Sequence, residues 1–90
     1  MKFRFTKEAK QQFEFWEKND PKIKMRIISL LRAIENEPYA GIGKPEALKY
    51  ELRGYWSRRI TAEHRLVYQI LELNEHLECL VIQCRFHYDL

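Results

Sequence analysis

No stretch of the chain is apolar for long enough to span a bilayer. The first ten residues, MKFRFTKEAK, alternate charge with aromatics where a secretory leader would need a continuous apolar segment. A soluble, cytoplasmic protein without a membrane partner is expected. Cysteine is scarce: Cys79 and Cys84 alone, with no C-x-x-C and no Cys/His spacing of a metal site. Five positions apart in one expected strand, they should lie on opposite faces, unpaired, as small apolar fillers. The pattern calls for neither metal nor cofactor. Glycine and proline number three each, and most fall in one place: 38–46, PYAGIGKPE, holds two of each in nine positions and reads as a loop. Repeats, linkers and low-complexity runs are missing, so residues 1–90 should form one domain around one small core.

What is present is unevenly charged. Formal net charge is +3. Residues 44–65 hold Lys44, Lys49, Arg53, Arg58, Arg59 and Arg65 against Glu46, Glu51 and Glu63, and the remainder balances to zero. A local excess of this kind is the footprint of a polyanion, nucleic acid being the commonest, or else a solvated face.

Periodicity predicts the elements. Phe3 and Phe5 alternate with Lys2 and Arg4 in a short first strand. Thr6 offers an N-cap to an amphipathic helix over 7–18 with Ala9, Phe13 and Trp16 inward. Asp20-Pro21 starts a second helix as cap and first position, with Ile23, Ile27, Leu30, Leu31 and Ile34 buried and Met25 and Ile28 widening the stripe. The two helices should form an antiparallel hairpin. Strands are expected at 48–53, 55–61, 64–73 and 77–86, with Asn74-Glu75 as a hairpin turn. Alternation puts Leu66, Tyr68 and Ile70 on one face of their strand, and Leu80, Ile82, Cys84 and Phe86 together on the core face of the last. Gln83, Arg85 and His87 would then join Arg65 on the open face, with Arg59 on a neighbouring strand.

That set suits metal-independent cleavage of an RNA phosphodiester. The reaction needs a base for the 2′-hydroxyl, an acid for the 5′-oxygen and fixed cations for the phosphorus oxygens. Glu46, aimed by a Gly/Pro loop, is the candidate base. His87 is the candidate acid, since an ordinary imidazole titrates near about 6.5. Arg65 can fork onto the phosphate, Arg59 can assist, and Lys44 and Lys49 suit backbone phosphates. Tyr88 can stack on a base or donate to a phosphate. Each has a plainer reading: Glu46 as a solvated turn residue, His87 as a terminal surface residue, Arg65 paired with Glu63. Tyr55, Trp56 and Phe86 read as core. His64 and His76 read as strand edge and loop.

The stretch GKPEALKYELRGYWSRRITAEHRLVY, followed by CRFHY, resembles the YoeB (Txe/YoeB) branch of the RelE/ParE toxin superfamily. The resemblance runs over nearly the whole chain, including EFWEKND. It implies an α+β fold, a two-helix hairpin on a twisted antiparallel sheet similar to small microbial ribonucleases. It implies the toxin of a toxin–antitoxin pair, an endoribonuclease that enters the ribosomal A site, cuts mRNA and stops translation. The family's general base falls on Glu46, its phosphate-stabilising arginine on Arg65 with Arg59 assisting, its general acid on His87 and its terminal tyrosine on Tyr88. Lys44 and Lys49 match RNA-contacting positions. Implied partners are mRNA and the 70S ribosome, a YefM/Axe-like antitoxin with a flexible acidic segment, a second copy of the toxin, and promoter DNA only through the antitoxin complex.

Two features depart from the pattern. Family members commonly stop at the His-Tyr pair, whereas this chain adds Asp89-Leu90, and the ILELNEHLECL hairpin is longer than usual. Alternatives on the same fold are a ParE-like, non-nucleolytic toxin acting on DNA gyrase and a module that only binds nucleic acid.

Overall fold

Thr6 and Asp20 set the first half of the chain. In the computed structural model, which describes residues 1–87, the Thr6 side chain accepts from the Ala9 N–H at 3.1 Å and opens helix α1, Lys7–Asn19. Asp20 closes α1, its N–H donating to Trp16, and its side chain accepts from the Ile23 N–H to open helix α2, Pro21–Asn36. Ile27, Leu30 and Ile34 are fully buried, each worth about 2 kcal/mol of transfer free energy. Ile23 and Leu31 pack partly buried beside them, whereas Met25 is 54% exposed, so the stripe is narrower on that side.

The second half forms a five-stranded sheet in the order β1-β5-β4-β3-β2. Its strands are β1 (Lys2–Phe5), β2 (Glu46–Ala47), β3 (Trp56–Arg59), β4 (Arg65–Leu73) and β5 (His76–Gln83). β2 to β5 pair antiparallel, but β1 lies parallel to β5, Phe3 beside Cys79 and Phe5 beside Val81. The sheet is therefore mixed rather than wholly antiparallel, because the helices carry the chain from β1 across one face. They cover that face over Ile60, Leu66, Tyr68, Cys79, Val81 and Cys84. Among the described residues, no helix is long and apolar enough to cross a membrane.

Three local expectations are corrected. The strand expected at 48–53 is a tight 3-10 turn, Tyr50–Leu52, with Tyr50 in the left-handed region at φ 57 and its ring 77% exposed. Left-handed backbone cannot continue a ladder. The strand expected at 77–86 ends at Gln83. Its faces are also inverted over most of its length: Cys79 and Val81 are buried in the core, while Leu80 pairs across from Gln69. The cause is a bulge. Tyr68 faces Val81 but Val67 faces Gln83, so Ile82 is an extra residue. One inserted residue reverses the alternation. Cys79 and Cys84, at odd spacing, therefore both enter the core, as free thiols.

Asn74 and Glu75 do make the hairpin turn, both at positive φ (48 and 68), the geometry that matches strand twist.

Candidate active site

Residues opposite one another on neighbouring strands share a face. Glu46 lies opposite Ser57, Ser57 opposite Val67, and Val67 opposite Gln83, so a single row crosses the sheet. It belongs to the face away from the helices, because the alternate residues Leu66 and Tyr68 are in the core. Two positions along β3 from Ser57 stands Arg59, on this same open face, directly opposite Arg65. Strands are about 4.8 Å apart and rise about 3.4 Å per residue, which separates the Glu46 and Arg65 Cα atoms by roughly 12 Å. Like charges directly across a ladder are destabilising, so the Arg59–Arg65 pair is a cost to the fold.

The loop before β2 extends this edge. The Arg59 N–H donates to the Gly43 carbonyl at 2.7 Å, which brings exposed Lys44 (φ 50) to the same corner. Gly43 is required there: its φ is +86, and a Cβ would sit 2.8 Å from the Leu30 side chain and 3.0 Å from that of Arg58. Lys49 is exposed but lies past the opposite end of β2, where the Leu48 N–H meets the Tyr55 carbonyl. It is not part of the cluster. Arg26 of α2, which sequence reasoning missed, donates to the Arg59 carbonyl at 3.3 Å. No pattern in α2 marked it.

Arg65 is held by its own turn. Nη1 donates to the carbonyls of Thr61 (2.9 Å), His64 (3.1 Å) and Ala62 (3.2 Å). Its backbone N–H donates to the Phe86 carbonyl at 3.0 Å. That bond brings His87, which is exposed, beside Arg65 on the side away from Arg59. Glu46, Arg59 and Arg65 thus share one face, and the backbone of His87 lies beside that of Arg65. Tyr88 lies outside the described residues, as does the Asp89-Leu90 extension. Among the described residues no enclosed pocket forms, and Ser57 and Val67, in the row between Glu46 and Gln83, are buried.

Other expectations fail in an instructive way. Arg85 is not on the open face: its guanidinium stacks 3.6 Å from the Phe15 ring centroid and 4.5 Å from that of Phe86. Phe86 is 54% exposed, with φ 68, rather than core. Arg58, counted in the basic segment, is fully buried. It donates to the carbonyls of Glu37 and Ala40 (both 2.7 Å) and Ile42 (3.0 Å), and through Nε to the Tyr68 hydroxyl (3.1 Å). It organises the 37–42 loop. Tyr68 in turn donates to the Pro38 carbonyl at 2.7 Å. Burial raises its phenol pKa, against the pull of Arg58. Burial also pushes the Cys79 and Cys84 thiols up to about 12. Neither thiol is a nucleophile at neutral pH.

Fold and face together define a small α+β protein whose open sheet surface concentrates arginines beside a carboxylate. Residues 5–88 match the family model of the YoeB-like toxin of bacterial type II toxin–antitoxin systems. The chain is 49% identical to Toxin YoeB of Synechocystis sp., with 99% of each chain covered. A solved structure described as the YoeB/ParE toxin from Agrobacterium tumefaciens superposes with a TM-score of 0.93 at 46% identity, covering 98% of this chain and 100% of that one. Staphylococcus aureus YoeB, solved in a heterotetrameric YoeB–YefM complex, gives 0.86 at 37% identity over 98% of both chains; a dimer of the same toxin has also been solved. The chain belongs to the YoeB-like toxins of type II toxin–antitoxin systems.

Proposed function

We propose that this toxin is an mRNA endoribonuclease that acts in the ribosomal A site and inhibits translation. The observation that supports the reading is the shared face of Glu46, Arg59 and Arg65, set by the Glu46–Ser57 and Arg59–Arg65 pairings, with the Arg65–Phe86 bond bringing the His87 backbone beside it. Glu46 takes the 2′-hydroxyl proton as that oxygen attacks phosphorus. The bond from phosphorus to the 5′-oxygen breaks, and the leaving oxygen takes a proton from His87. Arg65, with Arg59, stabilises the charge gathering on the non-bridging oxygens. The products are a 2′,3′-cyclic phosphate and a 5′-hydroxyl. Solvent then takes the proton from Glu46 and supplies one to His87. Lys44 contacts the flanking backbone, Lys49 meets RNA farther along the edge, and Tyr88 stacks on a base or donates to a phosphate.

The partner is an antitoxin of the YefM kind, whose acidic segment covers Arg59 and Arg65 and excludes mRNA. The S. aureus complex supports this pairing, and the S. aureus dimer supports a second toxin copy. Promoter DNA is met only through the antitoxin complex.

The test maps cleavage ends on mRNA with and without purified ribosomes. We expect cuts only with ribosomes. Glu46→Gln and His87→Ala should each lower the rate by about 10²–10⁴-fold with unchanged thermal melting. Cutting at full rate by either folded variant refutes the assignment. Growth arrest without new mRNA ends would favour a non-nucleolytic toxin.

A further inference from the structure

The segment that carries His87 leaves the sheet after Gln83, and side chains hold it where a ladder does not. The Cys84 N–H donates to Gln12 Oε1 at 2.7 Å, and Trp16 Nε1 donates to the Cys84 carbonyl at 2.8 Å. The Phe86 carbonyl accepts from the Arg65 N–H (3.0 Å) and from Gln83 Nε2 (3.1 Å). The Phe86 N–H is held by one group: His64 Nδ1, at 2.7 Å. A backbone N–H can only donate, so Nδ1 carries no proton and the ring's single proton is on Nε2. The imidazole is itself braced, edge-on to Trp16, with centroids 4.8 Å apart and planes at 73°.

Phe86 needs this hold. Its φ of 68 is a left-handed conformation that an aromatic residue adopts only against a steric penalty. The bond to His64 fixes the peptide plane entering Phe86. The bonds from Arg65 and Gln83 fix the plane leaving it, which is also the plane that bears the His87 nitrogen. Two fixed planes determine φ and ψ of Phe86, and so where the chain delivers the nitrogen and Cα of His87. Nothing in the sequence marks this pairing, since 22 positions separate the two residues.

We propose that His64 is a positioning residue: its neutral imidazole, by accepting from the Phe86 amide, locks the left-handed turn that aims the His87 imidazole at the Arg65 end of the open face. This rests on the reading of His87 as the acid that protonates the leaving oxygen. His64 touches no substrate and transfers no proton.

The experiment compares the wild-type toxin with His64→Phe and His64→Asn. Phenylalanine keeps a ring against Trp16 but has no acceptor. Asparagine presents Oδ1 near the place of Nδ1. Two quantities are read: single-turnover cleavage of ribosome-bound mRNA at saturating ribosome, and the Phe86 amide by ¹H–¹⁵N spectroscopy on the free protein. For His64→Phe we expect the cleavage rate at saturation to fall by about 10²-fold, with little change in the ribosome concentration giving half-saturation. The Phe86 amide should move upfield and exchange faster with solvent. His64→Asn should recover most of the rate and keep the amide protected. A full rate in His64→Phe overturns the proposal, and so does a His64→Asn that is as slow as His64→Phe. Should His64→Phe fail to fold, His64→Asn decides alone: a protected amide with near-normal rate supports the proposal, and a protected amide with a lost rate overturns it. If wild-type toxin cuts no mRNA, the nuclease reading fails, and an exposed Phe86 amide in the wild type would overturn the positioning role separately.

Discussion

Arg58 and Arg59 are adjacent in sequence and opposite in fate. Strand alternation sends Arg59 to the open face and Arg58 inward, where three carbonyls and the Tyr68 hydroxyl replace water around its guanidinium. A buried charge is tolerated only when it is fully hydrogen-bonded. Removing it leaves those oxygens without their donor. Arg58→Ala should therefore cost about 3 kcal/mol of stability, a fall of roughly 15 °C in melting temperature. Arg59→Ala should leave the melting temperature unchanged or slightly raised, because it relieves repulsion with Arg65. Thermal denaturation followed by circular dichroism separates the two. The basic segment was legible in the sequence as a charge excess, and within it Arg59 is exposed and Arg65 half-buried. Which arginine is structural was not legible from charge, since all the guanidinium groups are alike until burial sorts them.

Among the elements, the loop from 37 to 45 and the tail after β5 matter most, and neither is regular structure. The loop is tied by Arg58 from beneath and by the Gly43 carbonyl at its end. Gly43→Ala forces a side chain at φ +86 against Leu30 and Arg58, which should cost about 2 kcal/mol. It should also shift Lys44 and Glu46, so cleavage should fall more than stability alone explains. Urea denaturation and the cleavage rate, measured on the same preparation, check both. Helix ends were legible because caps are local: Thr6 and Asp20 act within three residues of themselves. The face of β5 was not legible, because the bulge at Ile82 depends on pairing with β4. The same bulge explains why Leu80 was misassigned and Gln83 was placed correctly.

At the scale of the whole molecule, the helices bury one side of the sheet. The buried side has a pH limit. Cys79 and Cys84 are raised from their ordinary 9.0 to about 12, and Tyr68 is raised as well, all chiefly by burial. The folded chain thus retains protons that the unfolded chain releases. Stability is fully present below pH 9.0 and declines as pH climbs through the interval to about 12, by at most about 1.4 kcal/mol per pH unit for each thiol. Urea midpoints taken from pH 7 upward should be flat and then fall, and replacing both cysteines with alanine should flatten the fall. By itself the sequence determined the helices, the hairpin, the basic segment and the family, since each is written in neighbouring residues or in a contiguous motif. Only the tertiary structure decided the parallel seating of β1, the inward turn of Arg58, the diversion of Arg85 onto Phe15, and the grip of His64 on the amide before His87. Those outcomes depend on contacts between residues far apart in the chain, whose geometry exists only once the sheet has closed against the helices.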